Sequence, residues 1–270
     1  MNVDELSERI ERYAGAPAGE ALPKEASLAV DELLDALERG AVRAASCVGN
    51  EWRAVPWVKR GILLGFRVGK LAESGETLHF VDKDTYPPRR FRATDNVRIV
   101  PGGSSVRRGA FVAPGVVCMP PMYVNVGAHI GTGTMIDSHA LVGSCAQIGE
   151  RVHVSAAAQI GGVLEPVGAL PVIVEDDVLV GGNTGIYEGA VIKQRAVIAA
   201  GTILTGSTPV YDLVNSTIIK PTATMPLVIP AGAVVVPGAR AVSVGAGKDW
   251  GLSLATPVIV KYRDDKTDSR

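Results

Sequence analysis

An aliphatic or similarly compact residue returns every sixth place at Val106, Val112, Cys118, Val124, Ile130, Ile136, Val142, Ile148, Val154 and Ile160. Four places after these stands a second, usually small residue: Ala110, Val116, Met122, Ala128, Thr134, Ala140, Ala146, Val152, Ala158. Each hexad therefore specifies two inward positions. A period of six fits neither the 3.6 of a helix nor the 2 of an alternating strand. It fits a coil with three short flat sides, one hexad per side and about 18 residues per turn, stacking at about 4.8 Å. The pattern predicts a mainly β protein built on a parallel β-helix. The phase slips across GVLEPVGALPV, where Ile160 and Val174 are 14 apart, then resumes at Val174, Val180, Ile186, Ile192, Ile198 and Leu204. A loop must leave the coil at the slip.

Before the repeat the period is helical. Val30, Leu33, Leu34 and Leu37 fall at i, i+3, i+4 and i+7, with Gly40 as a stop signal, which predicts an amphipathic helix over Ala26–Arg39. A shorter helix is expected over Leu6–Tyr13, while Trp57–Val68 is helical at its start and ambiguous after Gly61. The adjacent prolines of YPPRRF (Tyr86–Phe91) end regular structure and connect this part to the coil. The expected division is a helical and mixed cap over 1–100, the β-helix over 101–230 and a short C-terminal β extension over 231–270.

Composition narrows the classes. The 27 Lys+Arg balance 28 Asp+Glu, so no general attraction to nucleic acid is implied. No apolar run reaches the roughly 18 residues of a membrane span. The acidic, polar start MNVDELSERIERY is unlike a secretory leader, and a cytoplasmic location is expected. Cys47, Cys118 and Cys145 are scattered and read as reduced packing residues. His129, His139 and His153 invite a metal reading, but coil residues that stack must differ by about 18. These differ by 10, 14 and 24, so no metal is expected.

Three stretches carry a resemblance: MPPMYVNVGAHIGTGTMIDSHALVGSCAQIGERVHVS, QIGGVLEPVGALPVIVEDDVLVGG and YEGAVI. The chain resembles the hexapeptide-repeat acyltransferases and, among them, the tetrahydrodipicolinate N-succinyltransferases. EWRAVPWVKRGILLGFRV and NVRIVPGGSSVRRGAF extend the likeness over nearly the whole chain. The resemblance implies a left-handed coil, a homotrimer with active sites between neighbouring coils, and succinyl transfer from succinyl-CoA to tetrahydrodipicolinate. Succinyl-CoA would be a co-substrate, with no permanently bound cofactor. Flat sides of small and aliphatic residues are themselves suited to packing against copies of the chain. Two departures are SHA after Asp137, where an aromatic is expected two places on, and GIYEG before Ala190.

Amide formation from a thioester needs an uncharged amine, a proton acceptor and donors for the oxyanion. Asp137 stands where neighbouring hexads carry Gly131, Gly143, Gly149 and Ser155, so its carboxylate projects from a wall otherwise kept small. It matches the family's substrate-contacting aspartate, and Glu188 matches the acidic residue of the later coils. Two to three turns separate the pair. Asp137 is expected to hold and deprotonate the acceptor amine, with Glu188 further along the cleft or contributed by a neighbouring subunit. Arg98 matches the family's substrate-binding arginine; Arg107 or Arg108 is a weaker candidate for pairing a carboxylate. Gly185, Ala200, Gly201 and Lys220 are nominated for CoA. The alternatives are an N-acetyltransferase on the same acceptor and a non-catalytic β-helix scaffold.

Overall fold

The computed structural model describes residues 2–75, 79–222 and 225–264. Three helices, α1 (Val3–Ala14), α2 (Lys24–Glu38) and α3 (Pro56–Val68), precede the repeat. Asn2 caps α1 through its side-chain oxygen, and Pro56 occupies the first turn of α3, where no backbone donor is needed. The sequence left α3 ambiguous after Gly61, but the helix runs unbroken. A side chain at Gly61 would stand 2.2 Å from Leu33, and one at Gly65 would meet the Tyr86 hydroxyl at 2.1 Å. Close packing on α2 and Tyr86 thus outweighs the low helix propensity of glycine. Leu6, Ile10, Val30, Leu33, Leu34, Ile62 and Leu64 form the helical core, which also takes in Val126 and Cys145 of the coil.

The repeat folds as a hexapeptide-repeat parallel β-helix, as the period predicts. Each hexad contributes a two-residue strand, and the strands stack into three flat faces. Face I runs from Arg98–Ile99 through Met135–Ile136 to Val197–Ile198; face II runs from Ser105–Val106 to Ile203–Leu204; face III runs from Phe111–Val112 to Val228–Ile229. Within the regular repeat stacked partners are 18 apart, as at His129 opposite Gln147, and the first rung is 19 from the next, Arg98 opposite Val117. Across the predicted loop they are 26 apart, Gln147 opposite Ile173. The coil also begins earlier and ends later than the hexads suggested. Arg98–Ile99 forms its first rung. After Leu204 a second excursion puts Val191 opposite Val228, 37 residues on, and Val234–Val235 then closes face I. Ile229 and Val235 keep the six-residue spacing, so this rung was visible in principle.

Both inward positions are filled as expected, since Ile130, Ile136, Val142, Ile148, Ala128, Ala140 and Ala146 are all buried. The third residue beyond the inward aliphatic turns most corners with positive φ, as at Gly133 (71°), His139 (61°), Cys145 (65°), Arg151 (53°) and Ala157 (57°).

The N-terminal region covers face III. Arg43 Nε donates to Gln147 Oε1 at 2.9 Å, Trp52 Nε1 donates to Glu175 Oε1 at 2.9 Å, and Ala45 packs with Ile173 and Val191. His129 stacks on Phe111 beneath this cover; burial and then Arg43 push its pKa down to about 3, keeping it neutral. At the far end two long antiparallel strands, Ala233–Ala241 and Ser253–Tyr262, extend face I. Tyr262 Oη donates to Asp212 Oδ2 at 2.7 Å and Asn215 Nδ2 donates to the same oxygen at 2.8 Å, tying the second excursion to the C-terminal strand.

Ile148→Ala should lower unfolding stability by about 2–5 kcal/mol in a denaturant titration, because the coil interior cannot collapse around the missing atoms. Burial works to raise the Asp212 carboxyl, but its hydrogen bonds from Tyr262, Asn215 and Val214 outweigh that and hold it below the usual carboxylate range. Its stabilisation is therefore complete above about pH 4 and lost as pH falls through the native value. Asp212→Asn should remove this part of the acid sensitivity, measured as the slope of stability against pH.

Candidate active site

The second excursion leaves the coil at the same corner as the first, between faces II and III. Residues 161–172 leave the coil there, as does the chain after Leu204 until it rejoins at Val228, and residues of both excursions line a cleft of about 1060 Å³ together with the hairpin residues Trp52–Ala54. Glu188 and Tyr187 stand on its wall, between the two excursions. Glu188 Oε2 accepts from the backbone N–H of Gly206 at 2.7 Å, and a side chain at Gly206 would crowd that oxygen at 2.9 Å. The backbone at Glu188 is unusual. Its φ is +54°, immediately before Gly189 at +72°, so two consecutive residues are left-handed, the first of them not a glycine. A non-glycine residue in this region carries strain, a feature that concentrates at functional sites.

Asp137 lies on face I rather than at this corner. Its Oδ1 accepts from the Ser138 N–H at 2.7 Å, and its Oδ2 is 3.9 Å from His153 Nε2 on the next rung. Its side chain is 30% exposed, leaving it open to a ligand. Arg98 is exposed on the same face, two rungs below, since Arg98 pairs with Val117 and Val117 with Met135. That is about 10 Å along the axis at strand spacing. Asp137 and Arg98 thus share one flat wall. Glu188 is two rungs above Asp137, counted from Leu141 through Gln159 to Gly185, and around a corner. Within one chain the two carboxylates do not face a common point.

The weaker arginine candidates are occupied. Arg107 pairs with Asp82 at 2.5 Å and lies over the Phe66 and Tyr86 rings, both 5.0 Å from its guanidinium carbon. Arg108 pairs with Asp31 and Asp35 of α2. These contacts fasten the cap to the first coils. The four residues nominated for CoA do not converge within a chain. Gly185 is buried, with the Tyr187 ring in the space its side chain would take; Ala200 and Gly201 form a corner between faces I and II; Lys220 is exposed on the second excursion. The histidines are dispersed over face III, a corner and face I. Among the described residues no group of three or more His, Cys, Asp or Glu is placed to hold a metal ion.

Sequence reasoning missed the second excursion and the role of Tyr187. The Tyr187 ring occupies the space left by two glycines, with Cε2 2.4 Å from the side-chain position of Gly185 and Cδ1 2.7 Å from that of Gly161. The glycines were visible, but not the ring that uses their space.

Comparison with known proteins resolves the family. The family model for the tetrahydrodipicolinate N-succinyltransferase N-terminal region matches residues 5–68, and the hexapeptide repeat of succinyl-transferase matches residues 171–206. A 2,3,4,5-tetrahydropyridine-2,6-dicarboxylate N-succinyltransferase from Idiomarina loihiensis is 43% identical over 90% of this chain and 85% of its own length. The chain belongs to the tetrahydrodipicolinate N-succinyltransferase family. Another member, from Psychrobacter sp., is 38% identical and aligns over 100% of this chain and 96% of its own. A solved Campylobacter jejuni chain, described as a 2,3,4,5-tetrahydropyridine-2-carboxylate N-succinyltransferase, aligns over 89% of this chain and 64% of its own at 17% identity, with a TM-score of 0.42. As a member of the family this chain keeps both the N-terminal helical region and the repeat. No helix among the described residues is long and apolar enough to cross a membrane.

The two arginines should separate in a stability assay. Arg98→Met should change unfolding stability by no more than about 0.5 kcal/mol, the scale of an exposed surface site. Arg107→Met should cost about 1–3 kcal/mol, because it leaves the partners of a half-buried charged hydrogen bond unmatched.

Proposed function

We propose that the chain is a CoA-dependent N-succinyltransferase, moving succinyl from succinyl-CoA to the amine of tetrahydrodipicolinate in its open L-2-amino-6-oxopimelate form. This is a step of lysine and diaminopimelate biosynthesis. Membership of the family supports the reaction class, and the shared wall of Arg98 and Asp137 carries the assignment of the acceptor side. Arg98 pairs a carboxylate of the acceptor while Asp137 holds its amine and accepts a proton from it. The amine nitrogen attacks the thioester carbon, the C–S bond breaks, and the CoA thiolate takes up a proton. Glu188 faces the same reacting centre from a neighbouring subunit.

The positions of the groups support an intersubunit arrangement. Face III is covered by the chain's own N-terminal region, whereas face I and the later rungs of face II are open and carry Leu179, 40% exposed, and Ile203, 48% exposed; the Phe80–Lys83 strand borders face II only at Ser105 and Tyr123. Val117, Met135, Tyr123 and Leu141 are half-buried on the same two faces. A homotrimer that packs face I of one copy against face II of the next buries these residues. It also brings the corner bearing Glu188 towards the wall bearing Asp137. The Ala200–Gly201 corner and exposed Lys220 remain candidates for the CoA side, whereas Gly185 is buried and Arg107 is the weakest substrate ligand because its partners are already present.

The test of the shared site is complementation. Asp137→Asn and Glu188→Gln should each lower kcat by about 10² or more, the scale of losing an acid–base group. Refolding the two variants together at equal amounts should restore activity at about one quarter of the sites, because a random trimer forms an intact pair at that fraction of its interfaces. No restoration would place both groups within one subunit's site. Light scattering should give a mass near three times 28.1 kDa.

Donor choice separates the succinyl reading from the acetyl one. The distal succinyl carboxylate stays charged at neutral pH, and a site built to pair it leaves donors unmatched when acetyl-CoA binds. We expect kcat/KM for succinyl-CoA to exceed that for acetyl-CoA by about 10² or more, measured by thiol release with tetrahydrodipicolinate. Equal values would reject the succinyl assignment, and failure to bind CoA at all would favour a scaffold.

A further inference from the structure

Lys59 is buried without any obvious call on its charge. It lies on α3 with 0% exposure, packed inside the helical region, where a methionine or leucine of similar volume would fill the space. Burial pushes its amine pKa down, with Cys145 close by opposing the shift. Burying an ammonium is unfavourable unless a specific partner compensates it. That partner is a backbone carbonyl of the first excursion: Lys59 Nζ donates to Ala169 O at 2.6 Å.

The residue after Ala169 reaches the active-site corner. The carbonyl oxygen of Leu170 sits 2.5 Å from where a side chain at Gly189 would begin, so the excursion rests directly on the residue following Glu188. At this corner, unlike its neighbours among the described residues, the second position is left-handed, and the residue there is Glu188. The start of the excursion has its own attachments, Val163 N–H to Ser144 O at 3.1 Å and Leu164 against the helical core. At its far end Leu170 packs against Ala45, Ile173 and Val191, and the polar anchor of that end is the Lys59 bond to Ala169 O.

We infer that Lys59 is a positioning residue for Glu188: it fixes the end of the first excursion, whose Leu170 carbonyl presses on Gly189 and so sets the backbone that aims the carboxylate. The inference rests on the assignment of Glu188 to the reacting centre. It gives α3, which has no residue on the wall of the cleft, a part in catalysis.

A double-mutant cycle on the full-length enzyme tests it. Lys59→Met should lower kcat about tenfold, the scale of a small misplacement of a reacting group, with KM for both substrates changed less than about threefold. In a Glu188→Gln background the same substitution should cost less than about twofold, because the group it aims is already gone. Equal losses in the two backgrounds, or no loss in the first, would overturn the inference. If Lys59→Met fails to fold by circular dichroism, Gly189→Ala probes the same contact from the other side. Its loss should likewise vanish in the Glu188→Gln background, and an equal loss in both backgrounds would overturn the inference. A parent enzyme inactive with succinyl-CoA would refute the functional reading first. Amide exchange then reads the linkage directly: Lys59→Met, or Gly189→Ala should the former not fold, should speed exchange at both Leu170 and Ala190. Faster exchange at one of the two alone would overturn the inference.

Discussion

The parallel hydrogen-bonded register between rungs is the constraint on which the rest of the molecule depends. Each two-residue strand is too short to be stable by itself, and its backbone groups are satisfied by the turns above and below it, as when Met135 N–H donates to Val152 O and Asp137 N–H to Val154 O. Holding that register demands an inward aliphatic residue and a sharp bend every six places. The bends impose left-handed backbone on residues such as His139, Arg151 and Ala157. Their strain is distributed along the stack and offset by the interior that the bends enclose.

Insertions are compatible with this register only where they leave and rejoin at a bend. Both excursions do so at the corner between faces II and III, and the stack continues beyond each in phase. The proposed site gathers at that interruption. The repeat alone presents smooth faces of small residues, while the excursions supply the depth of the cleft, and Glu188 occupies the one bend squeezed between them. Asp137 uses the other available device, a charged residue on a flat wall, where its carboxylate is held by the neighbouring Ser138 N–H and flanked by His153.

Periodicity made the architecture legible because the inward positions of a solenoid are set by local spacing: Ile130, Ile136 and Val142 could be assigned to the interior without knowing what lay opposite. Asp137 was legible for the same reason, as a departure from a regular background. Contacts between distant segments were not. Nothing in VRRGAF distinguishes a substrate arginine from one that pairs with Asp82, since the partner lies on a hairpin brought there by the fold. The continuation of α3 through Gly61 depended on Leu33, and the setting of Tyr187 depended on the glycine at 161. The second excursion was hidden by its own length: the phase that ends at Leu204 resumes only after a stretch with different periodicity.

A solenoid whose turns are interchangeable has open ends that could each accept another turn from a second molecule, a route to fibres rather than discrete particles. The long antiparallel pair Ala233–Ala241 and Ser253–Tyr262 blocks this on face I. Its first strand takes the last parallel position, and its second runs the opposite way and pairs in turn with Val210–Asp212. The translational symmetry of the stack is broken there, so an incoming rung finds neither the direction nor the spacing it needs. The C-terminal strands therefore act as a terminator of growth along face I at this end of the coil.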